Sequence, residues 1–353
     1  MRFKPNPFLL PLSLPYQAAV QLRNRAYDNK IITTHDVEVP VVSVGNISIG
    51  GTGKTPFVLT LLDLLHQLKL PRKGRSAVVS RGYKGKAKTT TTVSDGKHIF
   101  VDAETAGDEP VMIAQGAAGS IVVVDKNRTR GANHAIKDLK AGAIILDDGF
   151  QHRKLNRNLD IVLLDGKNPL GSKRLLPAGI LREPASSLQR ADIIILSNPS
   201  GNLEELSKRA EMLESLIGRP VIVTRHEPQY WKRAGRNELM GLEEVQGRNV
   251  LGFCGIANPK VFFESVAAEG ANIVGKISLP DHGKYKKNVV NNISKEFSRL
   301  KAEWLVTTAK DGVKLPPLFC LLPIYQLFIK TKILIGQERL EKALVEIFLV
   351  NEK

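Results

Sequence analysis

Apolar residues fall along this chain in two alternating rhythms. Short runs rich in valine, isoleucine and leucine at 41–44, 77–80, 120–124, 143–146, 160–164, 192–196 and 220–224 have the length and content of buried strands. Between them, Phe57, Val58, Leu61, Leu62 and Leu65 recur at helical spacing, and a further helix is expected at 203–217. Strands alternating with helices predict an α/β fold, a parallel sheet sandwiched by helices. A polar stretch at 226–247, containing Tyr230 and Trp231, breaks the rhythm and is the expected linker. The alternation then resumes with strand 250–254, helix 259–269, strand 271–279, helix 286–301, strands 304–307 and 324–330, and helix 337–349. The expected organisation is an amphipathic arm at 1–30, a first α/β domain at 31–225, the linker, and a second, smaller α/β domain at 248–353.

The turn after the first strand carries candidate chemistry. It reads VVSVGNISIGGTGKTP, with Lys54 and Thr55 opening a helix. Glycine lacks a Cβ, so Gly50, Gly51 and Gly53 let the backbone turn its N–H groups toward an anion. The helix start adds unpaired N–H groups and the positive end of its dipole. Gly50, Gly51, Thr52, Gly53, Lys54 and Thr55 are therefore the expected nucleotide-binding set of a P-loop. Lys54 would reach the β and γ phosphates, and the Thr55 hydroxyl would meet Mg²⁺. Ser48 stands where the strict pattern has glycine, and Ile49 where partition-type ATPases carry lysine, so the loop is a variant.

A second acidic strand end supports it. The run AIILDD places Asp147 and Asp148 at the carboxyl end of a strand, where a metal-organising carboxylate belongs in such an enzyme. GDEP puts Asp108 and Glu109 at a helix start, either as ordinary first-turn acids or as base and metal ligand. Asp147, Asp148 and Glu109 thus remain alternatives beside Thr55 for the metal. Arg81 follows a strand directly and would stand on the rim where ligands bind, although the basic run 72–88 around it also reads as a solvated face. A Pro/Gly-rich loop at 176–184 is long enough to lie over that rim. In the second block the Asp281-His282 pair follows a strand, as a site or as a structural histidine.

Charge and composition narrow the partners. The chain has 353 residues and a formal net charge of +16, which calls for a negatively charged partner. Residues 1–30 mix apolar side chains with five cations and one acid, the composition of a segment on an anionic lipid surface or of a helix packed on its domain. Cys254 and Cys320 have neither disulfide-framework nor metal-ligand spacing, so a reducing compartment is expected. Pro11 and Pro15 interrupt the longest early apolar run, which predicts no membrane span and no signal peptide. Aromatic content of 6% and the lack of a recognition module argue against nucleic acid.

The motifs together resemble one family. VVSVGNISIGGTGKTP, SRGYKG, GDEP, ILDDGFQH, LLPAGILREP, FCGIANP and Asp281-His282 are similar to those of the tetraacyldisaccharide 4′-kinases of lipid A biosynthesis, from the arm to Lys314. The resemblance implies ATP- and Mg²⁺-dependent phosphorylation of the 4′ hydroxyl of a tetraacylated glucosamine disaccharide 1-phosphate, giving lipid IVA at the cytoplasmic face of the inner membrane. It implies two α/β/α domains joined by a two-stranded linker, Asp108 as catalytic base, and His282 as its partner from the second domain. It also implies that Arg81, Arg128, His152 and Arg182 contact the sugar or its phosphate. A cationic His282 would hold Asp108 ionised. Gly283 and Ala309 depart from the family pattern, which often has His and Glu there. The anionic membrane surface, met through the arm, is the second expected partner, and no obligate protein partner is inferred.

Rival classes fit less of the chain. A P-loop switch acting on a macromolecule would usually read guanine with an Asn/Thr-Lys-x-Asp motif, whereas Lys310 and Asp311 are adjacent. A kinase for a small soluble metabolite keeps the same site and leaves the arm unexplained.

Overall fold

The structure, a computed structural model, describes residues 7–350 apart from 118, 172 and 237. The first six residues of the arm, with Arg2, Phe3 and Lys4, lie outside the described residues. The strands are β1 (Val41–Asn46), β2 (Arg75–Ser80), β3 (Thr91–Ser94), β4 (Ile121–Val124), β5 (Ala141–Asp147), β6 (Leu159–Asp165) and β7 (Ile193–Ser197). They continue as β8 (Val221–Arg233), β9 (Leu239–Met240), β10 (Asn249–Cys254), β11 (Asn272–Ser278), β12 (Trp304–Thr308) and β13 (Ile324–Ile335). The helices are α1 (Leu10–Asp28), α2 (Lys54–Gln67), α3 (Ala103–Ala106), α4 (Asp108–Gly116) and α5 (Arg128–Lys137). After them come α6 (Leu203–Ile217), α7 (Pro259–Ala268), α8 (Lys287–Leu300), α9 (Ala309–Gly312) and α10 (Gln337–Val350).

Among the described residues, all the strands join one sheet in the order β11-β10-β12-β13-β8-β7-β6-β1-β5-β2-β4-β3, with β9 beside β8. β1 lies between β5 and β6, parallel to both, and every one of its residues is buried. A strand covered on both faces cannot alternate, which is why 41–44 reads as a continuous run. α2 buries Phe57, Val58, Leu61 and Leu65 in a core shared with Val42, Ile145 and Ile161. Each such side chain contributes roughly 1.5–3 kcal/mol of burial.

Two elements lie elsewhere than the sequence pattern suggests. The first part of the expected linker, 226–233, is strand, as the two-stranded linker implied by the resemblance would have it: residues 221–224 of β8 pair in parallel with β7, and the same strand runs on to 233 paired antiparallel with β13. α10, which the pattern groups with the smaller block, buries Leu340, Leu344 and Phe348 against the core beneath α2. Residues 249–322 form the second half around their own cores, and β13 carries the chain back along the β8–β13 seam.

α1 is amphipathic in an inverted sense. Its inward positions Ser13, Val20 and Asn24 are buried, whereas Leu12, Leu14 and Leu22 are 58%, 66% and 72% exposed. A helix packed on a protein core normally shows the reverse. No helix of the described residues is long and apolar enough to cross a membrane.

Candidate active site

The phosphate loop leaves β1 at Asn46 and closes at Gly53, whose φ of +83° suits glycine. A Cβ on Gly53 would sit 2.2 Å from His226 Nε2, so a larger residue there would have to displace the imidazole. Ser48 keeps its φ out of the left-handed region and bridges to Leu181 in the overlying loop, so the variant position needs no glycine. Asn46 Nδ2 donates to Thr52 Oγ1 at 3.0 Å, and Gln151 Nε2 donates to the Asn46 carbonyl at 2.8 Å. α2 then starts without a side-chain cap, so its first N–H groups face the loop.

The acidic strand end meets this loop. Lys54 Nζ lies 3.3 Å from Asp148 Oδ1, and an Arg182 guanidinium nitrogen lies 2.9 Å from Asp148 Oδ2. Burial opposes ionisation of Asp148, but Lys54 and Arg182 outweigh it and hold the carboxyl below the usual carboxylate range. Asp147 is almost wholly buried, accepts a hydrogen bond from Ser80 Oγ at 3.1 Å, and leaves Oδ1 without a partner. Its pKa is pushed up to about 7, first by burial and then by the charges of Glu109 and Asp148. A buried carboxylate with a free oxygen, pressed by a second carboxylate, suits a hard divalent cation. Of the residues expected to hold Mg²⁺, Asp147 and Glu109 face each other here, with Lys310 Nζ 4.0 Å from Glu109 Oε1.

Arg128 and His152 stand behind the acids. Arg128 is buried, with NH1 donating to the Asp125 carbonyl at 2.8 Å and NH2 to that of Asp147 at 3.4 Å. Its pKa falls to about 10 through burial. Burial and the neighbouring Arg128 push the His152 imidazole down to about 4, so it is neutral at ordinary pH, and its Nε2 has no partner. Arg81 stays exposed at the end of β2. Thus Arg128 and Arg182 are engaged with protein groups, whereas Arg81 has its side chain in the open.

Across the seam the second half reaches Asp108. This residue opens α4 after Gly107, whose φ is +92°, and is itself buried. His282 Nδ1 lies 3.0 Å from Asp108 Oδ2, Lys314 Nζ lies 3.5 Å from the same oxygen, and Lys310 Nζ lies 3.1 Å from His282 Nε2. An ammonium only donates, so Nε2 accepts from Lys310 and Nδ1 donates to Asp108. Burial alone would raise the Asp108 pKa, but the His282 hydrogen bond and the charges of Lys314 and Lys310 keep it lowered. Lys314 is anchored by Asp311 at 2.8 Å, whose Oδ2 accepts from the Gly255 N–H at 2.9 Å. The Tyr83 ring meets the His282 ring edge-on at 5.6 Å between centroids.

Lys310, Asp311, Lys314, Ser80 and His226 escaped the sequence reading. The signal for the first three was a polar cluster just past the strand 304–307, the place where the same reasoning singled out Asp281-His282. Ser80 stood in the SRGYKG motif without a role of its own, and nothing along the chain marked His226; their partners, Asp147 and Gly53, lie far away in sequence.

Comparison with known proteins accords with this geometry. The sequence profile of the tetraacyldisaccharide-1-P 4′-kinases matches residues 5–348. The tetraacyldisaccharide 4′-kinase of Pelobacter propionicus is 38% identical over 308 residues, which are 87% of this chain and 82% of that protein. That of Geobacter metallireducens is 37% identical and covers 95% of this chain and 96% of its own length. A crystal structure described as the apo form of LpxK from Aquifex aeolicus in complex with ATP superposes with a TM-score of 0.80 at 35% identity, over 96% of this chain and 98% of that one. Loop, acidic strand end and cross-seam contact lie within a match that takes in almost the whole sequence, and the chain belongs to the tetraacyldisaccharide-1-P 4′-kinase family.

Proposed function

We propose that the chain transfers the γ-phosphoryl group of ATP to the 4′ hydroxyl of a tetraacylated glucosamine disaccharide 1-phosphate. Family membership supports the reaction, and the observation that carries the assignment of roles is the 3.0 Å contact of His282 with Asp108. Phosphoryl transfer needs alignment and charge neutralisation more than covalent help from the protein. Gly50, Gly51, Thr52, Gly53 and Thr55 wrap the phosphates, and Lys54 neutralises the transferring group. Thr55, Asp147 and Glu109 would hold Mg²⁺, which would supply further charge stabilisation there. Asp108 takes the proton of the attacking hydroxyl, with His282 fixing the orientation of its carboxylate. Arg81 reaches the sugar or its phosphate; Arg182 shapes that side of the site through Asp148, and Arg128 and His152 back it from behind the acids.

The inverted α1 suits an acyl-bearing substrate. Its exposed leucines and the cations of the arm dock on an anionic membrane surface, so that the enzyme works peripherally at the cytoplasmic face. Incubation with γ-labelled ATP, Mg²⁺ and the lipid disaccharide 1-phosphate should place label in the lipid. Label released only as inorganic phosphate would defeat the assignment.

A further inference from the structure

The inner side of α1 ends in directional bonds to one loop, residues 175–183. Ser13 Oγ donates to the Leu175 carbonyl at 3.2 Å and accepts from the Ala178 N–H at 3.0 Å. The Tyr16 hydroxyl donates to the Arg182 carbonyl at 3.0 Å. Asn24 Nδ2 donates to Glu183 Oε2 at 2.9 Å, on a carboxylate with no exposure that Arg190 also grips at 2.9 Å. The same loop ends on the phosphate loop. Ile180 O accepts from the Ile49 N–H at 2.8 Å, and the Arg182 N–H donates to Ile47 O at 2.7 Å. The Arg182 guanidinium holds Asp148, whose other oxygen faces Lys54.

A surface anchor has no use for these bonds. Apolar packing would fix an anchoring helix equally well, whereas buried hydroxyl and amide groups make sense where a neighbour must be held in register. We propose that α1 is a positioning element of the nucleotide site: Ser13 and Tyr16 hold loop 175–182, which sets the backbone at 47–49 and the chain Arg182–Asp148–Lys54. In this arrangement, which presupposes ATP at the phosphate loop as proposed above, the arm has two separable duties. Its outward leucines meet lipid, and its inward hydroxyls keep the phosphate loop in its binding shape.

The double variant Ser13→Ala, Tyr16→Phe removes the hydroxyls and leaves the exposed face intact. In the full-length chain, the Kd for a fluorescent ATP analogue and the KM for ATP should both rise about tenfold. At saturating ATP, kcat should stay within about twofold, because a chain that merely folds less well loses kcat and keeps its KM. Flotation on anionic vesicles should be unaltered. The comparison variant Leu14→Gln, Leu22→Gln should weaken flotation and leave the nucleotide Kd as it is. Equal nucleotide affinity in wild type and the Ser13/Tyr16 variant would overturn the positioning role, as would an equal loosening in the Leu14/Leu22 variant. A wild-type chain that binds no ATP at all would overturn the ATP-dependent function as well.

Discussion

On one side of the β8–β13 seam, parallel strands carry the phosphate loop, the acidic end of β5 and Asp108. On the other, the strands β10, β11 and β12 deliver His282, Lys310 and Lys314. The first half buries a carboxylate that it cannot neutralise by itself, because the counter-charges for Asp108 arrive from the second. The second half buries Asp311 and Lys314 as a pair at 2.8 Å, one of whose members also looks across the seam. Separating the halves would leave Asp108 without its counter-charges while Lys314 kept Asp311, so the pairing of the halves and the readiness of the base are the same event.

Removing the carboxylate that joins the halves should have the largest effect. Asp108→Ala is expected to lower kcat by about 10²–10⁴, with ATP binding retained in equilibrium titration. Turnover near the wild-type rate would end its role as base. Lys54→Ala, confined to the first half, should cost about 10²–10³ in kcat through lost phosphate stabilisation. Unchanged activity there would mean that the loop does not grip the transferring phosphoryl group. Lys314→Ala probes the contribution from across the seam. It should cost about tenfold in kcat at saturating substrates, since His282 and Lys310 remain. A loss as deep as that of Asp108→Ala would make the lysine more than a supporting charge.

The smallest effect concerns stability. Asp147 has a folded-state pKa near 7, above its ordinary value of 3.8, so in that interval the folded chain holds a proton that the unfolded chain has released. Stability from this group is present at low pH and lost as pH rises toward about 7. Metal-free wild type should therefore lose ground against Asp147→Asn as pH climbs from about 4 to about 7, measured by denaturant titration at each pH. A difference that is flat over this range would mean that the carboxyl is not raised.

Legibility in the sequence followed locality. β1, the loop and α2 could be read because glycine, lysine and a helical period stand within twenty or so residues, and every partner in that argument is a chain neighbour. The outer part of β8 could not. It runs past Arg225 into a two-stranded ribbon with partly open faces, and its polar and aromatic content obeys neither strand alternation nor a buried run. The period of α10 announces an amphipathic helix but says nothing of which core receives it. Asp108 and His282 stand 174 residues apart, and only the resemblance to a family joined them in advance. The lysines around them had no such help, because a cation past a strand end looks like any solvated one until its acid arrives from the other half.

Because β8 runs continuously from one half to the other, the joint between them is a hydrogen-bonded ladder, with register shifts at Phe328/Ile329 and Ile333/Ile335. A paired ladder restrains the two halves more than an unpaired linker would, because each rung must be kept or broken as they move. His226 stands on that ladder with its ring against Gly53, so the mouth of the phosphate loop is packed directly on the joint between the halves.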